Sequence, residues 1–267
     1  MSAAKRLSIV SDDFGLNAAV NEGIARGYVD GLLTDTNLMP PCPAFDEAVA
    51  ICRETGIRVG LHATFTCEGT GLRPWGPLTG APSLKRGDGA FPVDPAETWA
   101  SAAEDEALAE ARAQYEKLRA AGITMTHIRQ HRNLDAHGRC LRTLAALARE
   151  TGVPYVQPHP ALPGGTPYYR WDSFFSLSMV GTDLATRKAR LRETLEAVGP
   201  GHHLWTVHCS SGLPSSGGAD DYGPFAIWKT YCHLDQLLVT DDEVRRWLDE
   251  LGIERVPMSR CPVAVAE

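Results

Sequence analysis

Potential chemistry concentrates at four points of the sequence. Paired carboxylates, Asp12 and Asp13, close the apolar run 7–11. His62 lies near the end of the run 58–65. His131 follows the run 123–128, with His127 four residues before it, and His208 ends the run 203–208. One Asp and two His form a ligand set with open positions, which suits zinc, iron(II) or another divalent ion. Such an ion polarises a carbonyl and lowers the pKa of water. A free carboxylate can take a proton from water, and a separate acid must protonate a leaving amine. An amide hydrolase needs those parts, and the chain offers a residue for each.

Each residue also has a plainer reading. Asp13 could cap the next helix and Asp12 sit in a solvated turn, although Phe14-Gly15 points to a tight turn. His62 could be a satisfied core histidine. His127 and His131 could both point inward, but period-two alternation and the following turn leave this open. His137 reads as surface or capping, His202 and His203 as exposed, His233 as structural, and His159, between prolines, stays ambiguous. The basic group Arg187, Lys188, Arg190 and Arg192 reads as a solvated helix face.

The surrounding pattern supplies elements to hold these residues. Residues 7–11, 34–38, 58–65, 123–128, 154–157, 203–208 and 253–258 read as strands. Residues 17–30, 45–54, 104–120, 135–151, 183–198 and 241–251 read as helices, with Asn17 as a cap and Gly31, Gly56 and Gly122 as stops. Residues 67–94, 159–169 and 209–224 are rich in Gly, Pro or Ser and read as loops. Loops that long are often functional lids. Residues 225–237 carry no decisive pattern. Alternating elements without an internal repeat imply a parallel sheet with helices outside it. The expected fold is α/β: a distorted (β/α) barrel of about seven parallel strands with helices outside, one domain over residues 1–267. An open doubly wound sheet is the alternative. In parallel barrels the C-terminal strand ends share one face, so the candidate residues are expected to converge there.

Bulk properties narrow the partners. With 267 residues, 43% hydrophobic and 22% charged, the chain can bury a large core without a structural metal. The net charge of -7 argues against nucleic acid, which needs clustered Lys and Arg. Seven cysteines, with no C-x-x-C pair, suggest neither a disulfide framework nor a cysteine zinc site. No apolar signal region follows Met1, and no apolar run is long enough to span a membrane. A cytoplasmic protein without nucleic-acid or membrane partners is expected.

The chain resembles the YdjC-like carbohydrate deacetylases. The resemblance rests on Ser11-Asp12-Asp13-Phe14-Gly15-Leu16-Asn17, on Gly60-Leu61-His62 with Thr64-Phe65-Thr66, on Thr126-His127-Ile128 leading to His131, and on Val207-His208. Thr240-Asp241-Asp242-Glu243-Val244 through Leu251-Gly252-Ile253 is similar to that family's last helix and strand. Thr66-Cys67-Glu68 through Trp75-Gly76-Pro77-Leu78 resembles a subset with a longer loop after the third strand. The resemblance implies a barrel that removes acetyl groups from N-acetylated sugars with one divalent metal ion, magnesium or zinc. It assigns the metal to Asp13, His62 and His131, the base to Asp12 and the general acid to His208. A small carbohydrate substrate and a homo-oligomer are compatible with it. Arg129 and Trp75 are candidates for substrate contacts, with Trp171 and Tyr168 beside them.

The match has departures. Arg129 stands where the family usually carries Asp, Gln130 replaces a Ser or Gly, Asn133 a further histidine, and Cys209-Ser210 the usual Pro-Gly after His208. An arginine repels a nearby cation unless it points away or pairs with an acid. Two alternatives therefore stand beside the deacetylase: another metallohydrolase on an ester or phosphate, and a sugar-binding relative without turnover.

Overall fold

Strand β1 (Lys5–Phe14) is the longest strand and the centre of the wall. The structure, a computed structural model, describes residues 4–68, 74–132, 138–156, 161–212 and 226–267. On one side of β1 follow β2 (Asp35–Leu38), β3 (Val59–Ala63) and β4 (Met125–Gln130); on the other follow β7 (Gly201–Val207) and β6 (Ser173–Ser176). All these pairings are parallel. Strand β8 (Ile253–Arg255) pairs with the first residues of β1, below the point where β2 joins it.

A bent segment closes the ring. Ile128 of β4 bridges Tyr155, and Tyr155 bridges Tyr168 of β5 (Pro167–Tyr169), both in parallel. Three residues later the same chain becomes β6 and pairs with β7. The wall thus has seven positions, the fifth reduced to Tyr155. The strand expected over residues 154–157 shrinks to that bridge, and Gln157 lies outside the described residues. Strands β5, β6 and β9 (Val263–Val265) were not foreseen; each has only three or four residues. The last strand expected, over residues 253–258, ends early: Pro257 precedes a 3-10 turn at Met258–Arg260.

Helices pack outside the wall. They are α1 (Ala18–Val29), α2 (Phe45–Thr55), α3 (Pro95–Ser101), α4 (Glu104–Ala120), α5 (Arg139–Thr151), α6 (Leu184–Glu196), α7 (Ala226–Val239) and α8 (Asp242–Glu250). Asn17 caps α1 by accepting from the Val20 amide at 2.9 Å. That leaves Asp13 free of the capping role. Gly56, at φ 68°, ends α2 in the left-handed conformation that favours glycine. The residues just before α5, including Asn133 and His137, lie outside the described residues, as does His159.

Period-two alternation sorts β1 into two cores. Leu7 and Ile9 join the large apolar layer beneath the helices, as does Phe14 beyond the break in register that follows Ser11. Val10 faces inward and packs with Val156, Tyr169, Leu204, Met258 and Cys261. This small apolar plug closes the lower end of the barrel. Above it the inward side chains turn polar, which is where the chemistry sits. The described part of the loop after β3, residues 74–94, is tied down by α4. Glu110 of α4, fully buried, accepts from the Leu78 and Thr79 amides, and Glu106 accepts from Ser83.

Candidate active site

The end of β1 is built to deliver two carboxylates to one cavity. Pairing with β2 loses register between Ser11 and Phe14, and Asp13 takes φ 71°, a conformation uncommon outside glycine. The twist breaks strict alternation, so Asp12 and Asp13 both line the same space. Gly15 follows at φ 89°, where a Cβ would lie 2.9 Å from Leu38 Cδ1. Asn21 locks this turn: its Oδ1 accepts from the Gly15 amide at 2.8 Å, and its Nδ2 donates to the Ala44 carbonyl. The Asp-Asp-Phe-Gly-x-Asn segment is thus a shaped turn.

The cavity has a volume of about 450 Å³, and its wall includes Asp12, Asp13, His62, Arg129, His131 and His208. Asp13 Oδ1 lies 3.2 Å from His62 Nε2 and 3.9 Å from His131 Nε2. That oxygen and His62 Nδ1 are buried without a hydrogen-bond partner in the described structure. Burial pushes the Asp13 carboxyl up, but the His62 contact and the charges of His208 and His131 hold it well below the usual range. Burial also lowers His62, which favours a neutral ring with a free lone pair. His131 is held differently. Its Nδ1 meets Thr66 Oγ1 at 3.1 Å, and its Nε2 faces Glu68 Oε1 at 3.1 Å, while Arg132 pairs with the other Glu68 oxygen at 3.0 Å.

These donors suit a divalent ion in kind. Bonds of about 2.1 Å to one ion leave two ligands roughly 3–3.5 Å apart. Asp13 and His62 already meet that spacing, and the Asp13–His131 edge is the loose one. Among the described residues no three His, Cys, Asp or Glu side chains stand as a finished cage. Glu68, which occupies the His131 nitrogen, adds an oxygen donor at the rim.

Asp12 belongs to a separate network. Arg129 Nε lies 3.1 Å from its Oδ2, and Asn37 Nδ2 donates to its Oδ1 at 2.6 Å. Asn37 Oδ1 meets His127 Nε2 at 2.5 Å, and His127 Nδ1 meets Thr126 Oγ1 at 2.8 Å. Gly60 makes room for that ring, since a Cβ there would fall 2.2 Å from His127 Nε2. Burial pushes His127 down to about 3, so it stays neutral. Burial pushes Asp12 up, but Arg129, then His62 and His208, outweigh it and hold the carboxyl below its usual range. Arg129 therefore pairs with an acid, and its Nη1 also reaches Thr206 Oγ1 at 3.2 Å. His208 Nε2 stands 3.8 Å from Asp12 Oδ2.

Asp12, Asp13, His62, Arg129, His131 and His208 thus meet as expected. Trp75 does not join them: it is buried in the loop after β3, with Nε1 donating to the Thr66 carbonyl at 3.0 Å, and packs instead of lining the cavity. Trp171 donates to the Val156 carbonyl inside the barrel, and Tyr168 packs against the outer core. The aromatic at the cavity is Trp228, on α7. Arg187 is another correction, because it is fully buried and paired with Asp235 at 2.6 Å, so only the rest of that basic group borders solvent. His203 is buried and bonded to Ser173 at 2.7 Å, not exposed. Asn37, Glu68, Ser178 and Asp235 were missed. Asn37 gave little signal, because its strand, Asp-Thr-Asn-Leu, is mostly polar.

The chain is similar to known proteins over much of its length. A carbohydrate deacetylase of Brevibacillus brevis is 34% identical over 57% of the chain and 59% of its own length. One from Geobacillus stearothermophilus is 29% identical over 92% of the chain and 94% of its own length. The chain therefore spans under two thirds of the first relative and nearly all of the second. A crystal structure of an Enterococcus faecalis V583 protein, proposed as a cellobiose-phosphate cleavage protein, superposes with a TM-score of 0.76. It shares 21% identity over 96% of this chain and 98% of its own, which establishes the same barrel. The family model described as YdjC-like protein matches residues 6–250, so the chain belongs to the YdjC-like family.

Proposed function

We propose that this protein is a hydrolase that removes the acetyl group from an N-acetylated sugar, with a divalent ion held by Asp13, His62 and His131. Its relatives' names as carbohydrate deacetylases support the reading. The observation that carries it is the pairing of two differently prepared groups across one cavity. Asp12 is a buried carboxylate kept ionised, and His208 Nε2 faces it at 3.8 Å.

When bound, the ion supplies Lewis acidity at the acetamide carbonyl and stabilises the charge that develops on its oxygen. Asp12 accepts the proton of the attacking water through Oδ2. Asn37 and Arg129 fix the carboxylate so that its orientation is set before substrate arrives. His208, protonated, gives its Nε2 proton to the departing amine. Arg132, Arg129 and Trp228 on the wall offer guanidinium donors and an aromatic face for sugar hydroxyls and ring carbons. The volume of about 450 Å³ suits a small sugar unit.

The Arg129–Asp12 pair favours a second reading, a sugar-binding protein without turnover, because a guanidinium on the base lowers its basicity. One experiment separates the two. Acetate release is measured on a panel of N-acetylated mono- and oligosaccharides with metal-loaded, chelated and Asp13→Ala protein. Turnover lost on chelation and in Asp13→Ala supports the hydrolase. Sugar binding with no acetate from any substrate sinks it.

A further inference from the structure

His208 is backed by a buried chain that neither the proposed reaction nor the family resemblance assigns. Its Nδ1 lies 2.9 Å from Ser178 Oγ, on the turn after β6. Ser178 Oγ lies 2.6 Å from Asp235 Oδ2, on α7. The same oxygen accepts the backbone N–H of His208 at 2.9 Å. Arg187 of α6 closes the chain, with Nη1 at 2.6 Å from Asp235 Oδ1 and Nη2 donating to the Ser178 carbonyl at 2.7 Å. Asp235 and Arg187 are fully buried, and Ser178 is nearly so.

The donors and acceptors can be assigned in order. A guanidinium stays charged, so burying it here demands an ionised partner. Asp235 is the carboxylate in reach, and it takes three donors: Arg187, the His208 amide and Ser178. An ionised carboxylate only accepts, so Ser178 must spend its single proton on Asp235. Ser178 Oγ can then only accept from His208. The ring must therefore carry hydrogen on Nδ1, and when neutral it leaves Nε2 as the bare nitrogen facing Asp12 and the cavity. Trp228 lies edge-on to the ring at 4.7 Å and restricts its rotation.

We propose that Ser178, Asp235 and Arg187 are positioning residues that hold His208 in the Nδ1–H tautomer with Nε2 aimed at the cavity. The claim deepens the reading of His208 as proton donor and rests on it for its catalytic meaning. The tautomer itself can be tested without turnover. The three residues come from the turn after β6, from α6 and from α7, so one side chain reports the docking of three elements. The arrangement keeps the nitrogen that gives up the proton from being consumed by a structural hydrogen bond. It also makes the ring ready to be reloaded at Nε2 after each transfer, since Nδ1–H is never surrendered.

The test is nitrogen-15 NMR on the full chain labelled at histidine, with the His208 signals identified by their loss in His208→Gln. In the neutral ring, wild type should show Nδ1 protonated and Nε2 bare. Ser178→Ala should shift the ring toward the Nε2–H form, and Ser178→Thr, which keeps the hydroxyl, should restore the wild-type pattern. On an active sugar, Ser178→Ala should lower kcat about 10- to 100-fold with KM little changed, the scale seen when an orienting partner is removed from a functional histidine. An Nε2–H ring in the wild type overturns the proposal, as does a Ser178→Ala ring that keeps its Nδ1 proton. Should Ser178→Ala not fold, the wild-type tautomer alone decides. A wild type with the Nδ1–H ring but no acetate release would sink the deacetylase reading and leave the tether standing.

Discussion

The two sides of the cavity are finished to different degrees. On one side Asp13 and His62 meet each other at 3.2 Å and His131 is held by Thr66 and Glu68, while His62 Nδ1 is buried without a hydrogen-bond partner. On the other side Asp12 and His208 are held from behind by continuous networks, through Asn37 and His127 in one case and Ser178, Asp235 and Arg187 in the other. Buried polar groups in proteins are normally satisfied, so unbonded ones call for an explanation. On the proposed reading the first side takes an ion and the second works with its own residues. The divalent ion proposed above would bind on the first side. The second side needs none, because moving a proton demands orientation above all.

The largest expected effect falls on the unfinished side. Asp13→Ala removes the anionic donor, and acetate release should drop about 1000-fold or more, equivalent to roughly 4 kcal/mol of barrier. Calorimetric titration should show weaker binding of zinc or magnesium. Urea unfolding without metal should change less than for a buried ion pair, since no buried guanidinium is left without its counter-charge. A variant that keeps full metal affinity would break the comparison at its root.

The finished side should respond the opposite way. Asp235→Asn leaves Arg187 buried without a counter-charge, which costs about 3–5 kcal/mol when one partner of a buried pair is removed. Urea or thermal unfolding reads this directly, with or without metal. Equal destabilisation by Asp13→Ala and Asp235→Asn would mean that the two sides are not different in kind.

That asymmetry also explains what the sequence made legible. Strand ends announce themselves by apolar runs that stop at Asp12-Asp13, His62, His131 and His208, and a parallel barrel brings such ends to one rim. Hence the groups that line the cavity were readable. Their supports were not, because Asn37, Ser178 and Asp235 are single polar residues whose meaning comes only from contacts across 25 to 90 positions. Helix α7, which carries Asp235 and Trp228, had no clear periodicity, so the back of His208 stayed hidden. The Trp75 expectation failed for a related reason: an aromatic in a Gly/Pro-rich loop looks exposed until the loop is seen folded onto α4. Strand five was lost because only Tyr155 makes the bridge.

Asp35 extends the contrast below the mouth. It lies inward on β2, fully buried, and accepts from the Met258 amide at 3.0 Å. Burial pushes its carboxyl from 3.8 to about 6. Above pH 6 the group is ionised in both folded and unfolded chains, and the fold bears the whole cost. As pH falls from about 6 to 3.8 the folded chain alone takes up the proton, so this group's contribution to stability rises. The shift of about 2 units corresponds to at most roughly 3 kcal/mol. Asp35→Asn should therefore be the more stable protein at pH 7.5 by up to that amount and level with wild type near pH 4. His127, pushed down to about 3, loses stability over the same range, but it is common to both proteins and cancels in their difference. Urea unfolding at the two pH values checks this, and a variant that is less stable at pH 7.5 would show that the buried charge is compensated after all.

Arg129 gives the smallest effect and the finest cut between the hydrolase and the binder. It is one of the residues that depart from the family pattern, and it touches the finished side directly through Asp12. Arg129→Gln removes the strongest of the charges that hold the Asp12 carboxyl down against burial, so the carboxyl should titrate higher. If Asp12 must be ionised to accept a proton, the acidic limb of the pH–rate profile moves to higher pH. On that limb activity falls relative to wild type. Well above the limb it holds or rises, because a less acidic carboxylate is the better base. A limb that does not move would mean that Asp12 is not the group being titrated, and the pairing of base and acid across the cavity would lose its first member.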